Sequence, residues 1–320
     1  MSAWCLGIDT SNYTTSVAGC DTSGAVRSRR QPFDVAPGKR GVRQSDAVFL
    51  HTKALPGLIE QLMEDYGCPP AAVCVSETPR DAEGSYMPCF LTGVLAARGI
   101  AAALQVPLFR ISHQRGHILA ALLGCAGQRD LPFFLPEQPH FAYHVSGGTT
   151  ELLYAPIGPK GDGPITCVGA GADLHAGQLI DRCGVRLGLK FPCGPALEEL
   201  AQQGSPTLPP MRFSPTTQLH LSGLENKFEA LLRQSRPADA ALWLLESLAA
   251  GLVALARAGM QGKEELTLVL AGGVCSNRVI CERLARHFDV RSTSHEFAAD
   301  NACGTALYGA LALRGEEFQA

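Results

Sequence analysis

Charge is in short supply in this chain: 18% of its 320 residues are charged, and they leave a net −3. That balance excludes binding of nucleic acid through a global basic surface, so any RNA contact needs a local patch or a partner protein. The N-terminus lacks the basic and apolar regions of a signal peptide, because the chain runs from Trp4 straight into a strand-like segment. No C-x-x-C pair occurs among the 12 cysteines. Scattered mostly through apolar segments, they read as buried thiols of a reducing cytosol and not as a disulfide framework. The absence of G-x-x-x-x-G-K-[ST] excludes a P-loop, and the absence of H-E-x-x-H removes the base of a zincin-type protease. The most apolar long stretch, 240–256, contains Glu246 and Ser247 and reads as a buried helix, not a membrane span. A cytoplasmic protein with no membrane contact is expected.

Hydrophobic residues make up 46% of the chain, enough for the core of one large domain or of two lobes. Strands are expected at 4–9 and 14–20, joined as a hairpin by the polar turn Ser11-Asn12-Tyr13, and again at 73–77 and 106–111. The spacing of Val48, Leu50, Leu55, Leu58, Ile59 and Leu62 predicts a helix over 45–66, with further helices at 90–104 and 111–123. Residues 21–46 read as loop. A second strand–turn–strand at 141–154 echoes the first about 135 residues downstream, too far for a solenoid and suited to a duplicated two-lobe fold. Helices at 177–187, through Leu200, from Asp239 and from Asn301, with a strand at 266–270, complete an α/β alternation.

Three small-residue turns follow apolar strands: Asp9-Thr10-Ser11-Asn12-Tyr13-Thr14-Thr15, Ser146-Gly147-Gly148-Thr149-Thr150 and Ala271-Gly272-Gly273-Val274-Cys275-Ser276-Asn277. Bare backbone N–H groups in such turns can receive a phosphate, and ligands of α/β sheets sit at strand ends. One such turn alone reads as a tight turn, whereas three, each after an apolar strand, read equally well as the lining of a nucleotide cleft. His113 and His117 stand at i and i+4 of an expected helix and project from one face with the spacing of metal ligands. The same spacing suits two hydrogen-bonded histidines at a helix start. A metal there needs another ligand, and Asp300, at the mouth of the closing helix, is a candidate. Arg27, Arg29, Arg30, Lys39, Arg40 and Arg43 read either as a solvated loop or as a phosphate-binding rim.

Further motifs run in order with these. His51-Thr-Lys-Ala-Leu-Pro56, His113-Gln-Arg-Gly-His117, Ser146-Gly-Gly-Thr-Thr150, Ala176-Gly-Gln-Leu-Ile-Asp-Arg182, Leu187-Gly-Leu-Lys-Phe-Pro-Cys-Gly-Pro195, Leu221-Ser-Gly-Leu224, Gly272-Gly-Val-Cys-Ser-Asn277 and Asp300-Asn301 span nearly the whole chain. Together they resemble the TsaD family of tRNA threonylcarbamoyl transferases, once labelled glycoproteases. The resemblance implies a two-lobed actin-like, sugar-kinase-type ATPase fold with duplicated strand–turn–strand phosphate loops. The lobes would cover 1–125 and 126–300, with the helix 301–318 returning to the first. It implies transfer of a threonylcarbamoyl group from its adenylate to an adenosine of tRNA, with partner proteins of a threonylcarbamoylation complex. It also implies that His113, His117 and Asp300 bind one divalent metal (ferrous iron or zinc). Ser146, Gly147 and Gly148, with Gly273, would hold the phosphate or carbamoyl-adenylate, and Asp181, Gly194 and Asn277 the ribose and adenine of ATP or an adenylate. The first phosphate loop would be Thr10, Ser11 and Asn12. A homodimer is a further expectation.

One position goes beyond the bacterial pattern. His144 shares a strand face with Ser146 and stands where bacterial relatives carry an aliphatic residue and archaeal and eukaryotic ones a metal-binding tyrosine. It reads as a fourth ligand beside His113, His117 and Asp300, or as a core histidine bonded to backbone. The departures remove acids: the first loop of the family, E-T-S-C-D-E-T, has Tyr13 and Thr14 at its later acids, and the A-G-E glutamate is Gln178. The second acid of D-D-A-A-G is Leu174, and the lysine of S-G-L-K is Glu225. Lost acids can mean lost proton-transfer steps or another acceptor. The alternatives are therefore a paralogue that binds ATP and metal but carbamoylates or hydrolyses another substrate, and a non-catalytic nucleotide-binding subunit. Peptide hydrolysis finds no nucleophile-and-base pair.

Overall fold

The structure, a computed structural model, describes residues 3–11, 13–33, 42–126, 138–158, 161–206, 208–293, 295–298 and 302–315. The chain divides into two compact units: Met1–Gln138, Pro156–Ile165 and Ala299–Ala320 form the first, and Pro139–Ala155 with Thr166–Ala298 the second.

The first unit is built on five strands: β1 (Trp4–Asp9), β2 (Thr14–Asp21), β3 (Val26–Pro32), β4 (Ala72–Thr78) and β5 (Leu108–Ser112). They form one sheet of order β3-β2-β1-β4-β5. β1, β2 and β3 pair antiparallel, while β4 and β5 extend the sheet in parallel. Every residue of β1 is buried, as a continuous apolar run at the centre of a covered sheet requires. The helices are α1 (Gln44–Tyr66), α2 (Phe90–Leu104) and α3 (His113–Ala126). In α1 a stripe of Ala47, His51, Leu55, Leu58 and Leu62 faces inward at helical spacing, and Gly67, in the left-handed conformation, ends the helix.

Where the sequence reads loop at 21–46, β3 forms instead. It is an edge strand whose Arg27 and Arg29 lie out over α1: Arg29 pairs with Asp65 at 2.5 Å, and the Arg27 guanidinium sits 5.3 Å from the Tyr66 ring centre. These two arginines of the basic stretch are thus occupied on their own unit, and Lys39 and Arg40 lie outside the described residues.

The second unit carries six strands: β6 (His140–Val145), β7 (Thr150–Ala155), β10 (Thr166–Gly171), β11 (Gln218–Leu219), β12 (Leu268–Ala271) and β13 (Val290–Ser292). Their sheet has the order β11-β10-β7-β6-β12-β13. A small pair, β8 (Ile157–Gly158) with β9 (Gly161–Asp162), lies in the segment grouped with the first unit. The helices are α4 (Ala176–Arg186), α5 (Gly194–Gln202), α6 (Ser222–Leu232), α7 (Pro237–Gly259), α8 (Arg278–Ala285) and α9 (His295–Ala298). α7 is long and apolar enough to cross a membrane, yet most of it is buried in the core of this unit, around Trp243, Leu244, Leu248 and Leu252. The last helix, α10 (Cys303–Leu313), packs in the first unit against α3 and β1. A Cβ on Gly304 would stand 1.9 Å from the Gly116 carbonyl oxygen, so α10 and α3 approach as only glycine allows.

Candidate functional site

In the first unit β5 runs directly into α3, so His113 is the first helical residue rather than the third. His113 and His117 are 6% and 4% exposed, and their Nε2 atoms face each other at 2.9 Å. On the far side of His113, Nδ1 lies 2.8 Å from Asp9 Oδ2 at the end of β1. An ionised carboxylate only accepts, so Nδ1 carries the proton and the His113 Nε2 lone pair points at His117. Burial alone would raise the Asp9 carboxyl. The adjoining His113 and hydrogen bonds from Ser11 and Ser76 outweigh burial and hold it well below the usual carboxylate range. Two nitrogens each about 2.0–2.1 Å from one tetrahedral ion would stand about 3.3–3.4 Å apart, so the two rings, at hydrogen-bond distance as folded, would part by about half an ångström to share a metal. Among the described residues no group of three His, Cys, Asp or Glu assembles. Asp300 lies outside the described residues. Between the two histidines, Arg115 is buried and donates to Asp81 and, at 3.0 Å, to the Gly163 carbonyl.

The first small-residue turn is an anchor as much as a loop. Thr10 Oγ1 donates to the Cys89 carbonyl at 3.0 Å and accepts from Gly93 N–H at 3.2 Å, which fixes it to the start of α2. The Ser11 N–H turns back to Asp9 Oδ1 at 2.9 Å. Asn12 lies outside the described residues. His51 is fully buried in α1, with its Nδ1 2.8 Å from Thr15 Oγ1.

In the second unit the remaining candidates form a ring. The N-terminus of α4 rests on the second turn, with Gly177 N–H donating to the Ser146 carbonyl at 3.2 Å and Ala176 N–H to Thr150 Oγ1 at 2.8 Å. Asp181, on α4, accepts from Cys193 N–H at 2.8 Å through Oδ1 and thereby holds the loop that leads to Gly194. Burial raises the Asp181 carboxyl despite that bond. Glu198, one turn into α5, accepts from Asn277 Nδ2 at 3.1 Å and from Arg278 N–H at 3.0 Å. Asn277 Oδ1 in turn caps α8 by accepting from Ile280 N–H at 3.2 Å. The third turn closes the ring: Gly272 has φ 92°, and a Cβ there would lie 2.3 Å from the Val145 carbonyl oxygen, one residue before Ser146. The space next to Gly147, Gly148, Gly194 and Gly273 is open to 4 Å. Two of the amides expected to meet phosphate are bonded within the turn, Ser146 N–H to the Thr149 carbonyl and Gly148 N–H to Ser146 Oγ. His144, 8% exposed on β6, stands opposite Glu151 in the hairpin and belongs to this unit, whereas His113 and His117 belong to the other.

The histidine pair and the small-residue turns are the motifs singled out in the sequence, and the buried acid behind His113 is added by the fold. The model of the TsaD family, tRNA N6-adenosine threonylcarbamoyltransferase, matches residues 30–307. The chain belongs to the TsaD family. It is 30% identical to the tRNA N6-adenosine threonylcarbamoyltransferase of Nitrosomonas eutropha, covering 97% of this chain and 92% of that protein. It is 31% identical to a Thermus thermophilus protein of the same name, covering 93% of this chain and 90% of that one. Among solved structures it resembles T. kodakarensis HypF, with TM-score 0.58 and 15% identity over 98% of this chain and 48% of that one. It also resembles component A of the Acidaminococcus fermentans (R)-2-hydroxyglutaryl-CoA dehydratase, with TM-score 0.56 and 15% identity over 96% and 97%. At such identity the likeness shows the fold, an α/β actin-like ATPase fold of two units.

The departures from the TsaD motifs have structural counterparts. Leu174 is 6% exposed and packs in the core of the second unit, so the acid it replaces has become a packing residue. Glu225 receives Arg182 at 3.1 Å and Arg186 at 2.8 Å, a local charge exchange with α4. Gln178 and Tyr13 are exposed. The sequence reading missed Glu198, signalled only by its place four residues after Gly194. It also missed the orienting side of Asp9, for which nothing local gives a sign.

Proposed function

We propose that this TsaD-family protein transfers a threonylcarbamoyl group from its adenylate to N6 of an adenosine in tRNA, in concert with partner proteins in the cytoplasm. The observation that carries the reading is the buried Asp9–His113–His117 chain, in which both histidines of the metal motif stand with an acid behind them while acids elsewhere in the family motifs are replaced. His113 and His117 would hold a divalent ion, ferrous iron or zinc, with Asp300 as the expected carboxylate. When bound, that ion supplies Lewis-acid polarisation of a carbamoyl or phosphoryl oxygen. The protein's own groups do the rest. The open space over Gly147, Gly148 and Gly273 receives the phosphate, and a phosphate there takes the Gly148 N–H that Ser146 Oγ now holds. Asp181 Oδ2 accepts from ribose, and Asn277 and Glu198 fix the nucleoside end. In the transfer the adenosine N6 forms a bond to the carbamoyl carbon, the bond from that carbon to the phosphate oxygen breaks, AMP leaves, and the N6 proton passes to a base or water.

A second reading is favoured by Leu174, a core residue where the family motif has an acid: a site with fewer acids that serves another acceptor. Expression in cells depleted of their own enzyme separates the two. Mass spectrometry of digested tRNA should show threonylcarbamoyladenosine restored. Its absence, with soluble protein present, favours the second reading.

A further inference from the structure

The pair His113–His117 needs one lone pair aimed inward from each ring, and an i, i+4 spacing alone does not fix which nitrogen of a histidine is bare. Asp9 stands 104 residues before His113 in sequence, is 1% exposed, and reaches Nδ1 with Oδ2 at 2.8 Å. Its other oxygen is held by Ser11 N–H at 2.9 Å, so the carboxylate cannot swing away without losing a buried bond. Behind it, Ser76 on β4 supports the carboxylate and lies 3.1 Å from Thr305 Oγ1 on α10. α10 is the helix that passes α3 at Gly304 and Gly116. Three separate elements, β1, β4 and α10, therefore bear on the orientation of one imidazole.

We propose that Asp9 is a positioning residue: it locks His113 in the tautomer and rotation that leave Nε2 bare toward His117, so that this one ligand is set before a metal arrives, and His117 joins it by moving its proton from Nε2 to Nδ1. This rests on the reading that the pair binds a metal. The position is occupied by glutamate in the family's usual first loop, and the shorter aspartate is what reaches Nδ1 here at hydrogen-bond distance. With His113 Nε2 bare, the 2.9 Å contact requires His117 to carry its proton on Nε2 in the metal-free protein. The two rings are thus held in opposite tautomers.

Two measurements test this. Long-range proton–nitrogen NMR of metal-free wild-type protein reports the tautomers and needs neither a variant nor a metal. A proton on His113 Nδ1 supports the proposal, and a bare Nδ1 overturns it. Calorimetric titration of zinc into wild type, His113→Ala and Asp9→Asn follows. Asp9→Asn keeps an oxygen for Ser11 N–H but withdraws the charge from His113, and loss of such a supporting carboxylate weakens metal binding about 10–100-fold. A loss in that range with an unchanged urea midpoint supports the proposal, and affinity within about twofold of wild type overturns it. If wild type and His113→Ala bind zinc equally, the metal reading itself has failed, while the tautomer result still decides the role of Asp9 at His113.

Discussion

Replacing Asn277 by alanine separates what this residue does for folding from what it does for a ligand. Its Oδ1 is the N-cap of α8, accepting from Ile280 N–H, and its Nδ2 donates to Glu198. Loss of such a cap costs about 1 kcal/mol. Loss of a hydrogen bond to a half-buried carboxylate adds about 0.5–1 kcal/mol. Asn277→Ala should therefore destabilise by about 1–2 kcal/mol, which for a unit of this size lowers the melting temperature by roughly 3–6 °C. The nucleotide role is a further loss: ATP or an adenylate analogue should bind about tenfold or more weakly, since one buried hydrogen bond is worth ~1–3 kcal/mol. Asn277→Asp retains an oxygen for the cap but turns the donor into a second acid beside Glu198, so it should match the alanine variant in binding and exceed it in cap strength. Differential scanning calorimetry and isothermal titration read the two effects separately. A melting temperature equal to wild type refutes the cap, and unchanged affinity in a folded variant refutes the nucleotide assignment.

His140, at the start of β6, is fully buried and neither ring nitrogen has a hydrogen-bond partner among the described residues; burial, and less strongly the charge of Arg291, lower it to about 4. Above about pH 6.5 it is neutral folded or unfolded, but as pH falls from ~6.5 to ~4 the unfolded chain takes the proton first, and about 3 kcal/mol of stability is lost. Urea unfolding against pH should show that decline flattened in His140→Leu, and parallel curves would contradict the assignment. Gly304→Ala drives a methyl group into the Gly116 carbonyl of α3 and should cost at least about 3 kcal/mol, because backbone on both sides must move. Wild-type stability in chemical denaturation would show that the two helices are not locked there.

Elements with a strong period were legible in the sequence: the apolar stripe of α1, the hairpin of β1 and β2, and the echo of that hairpin in β6 and β7 all stand where the pattern put them. β3 was not, because an edge strand held over α1 by arginines presents alternating charge and no apolar face. β10, α6 and α8 were missed as well, lying between Gly- and Pro-rich stretches that read as connections. At the site, residue types and spacing gave His113 and His117, but the Asp9 contact is made by sheet topology across 104 residues and leaves no local trace. Thr10 shows a second role that the sequence does not signal. Its place in a small-residue turn suggests phosphate, while its hydroxyl is occupied by Cys89 and Gly93.

One assay reaches the chemistry directly: transfer of labelled threonylcarbamoyl from its adenylate to tRNA by the purified protein with the partner proteins of a threonylcarbamoylation complex. Labelled threonylcarbamoyladenosine should appear in the tRNA with wild type, little of it without the partners, and none with His113→Ala. Release of AMP with no label in tRNA, under conditions where another family member modifies the same tRNA, would contradict the proposed transfer.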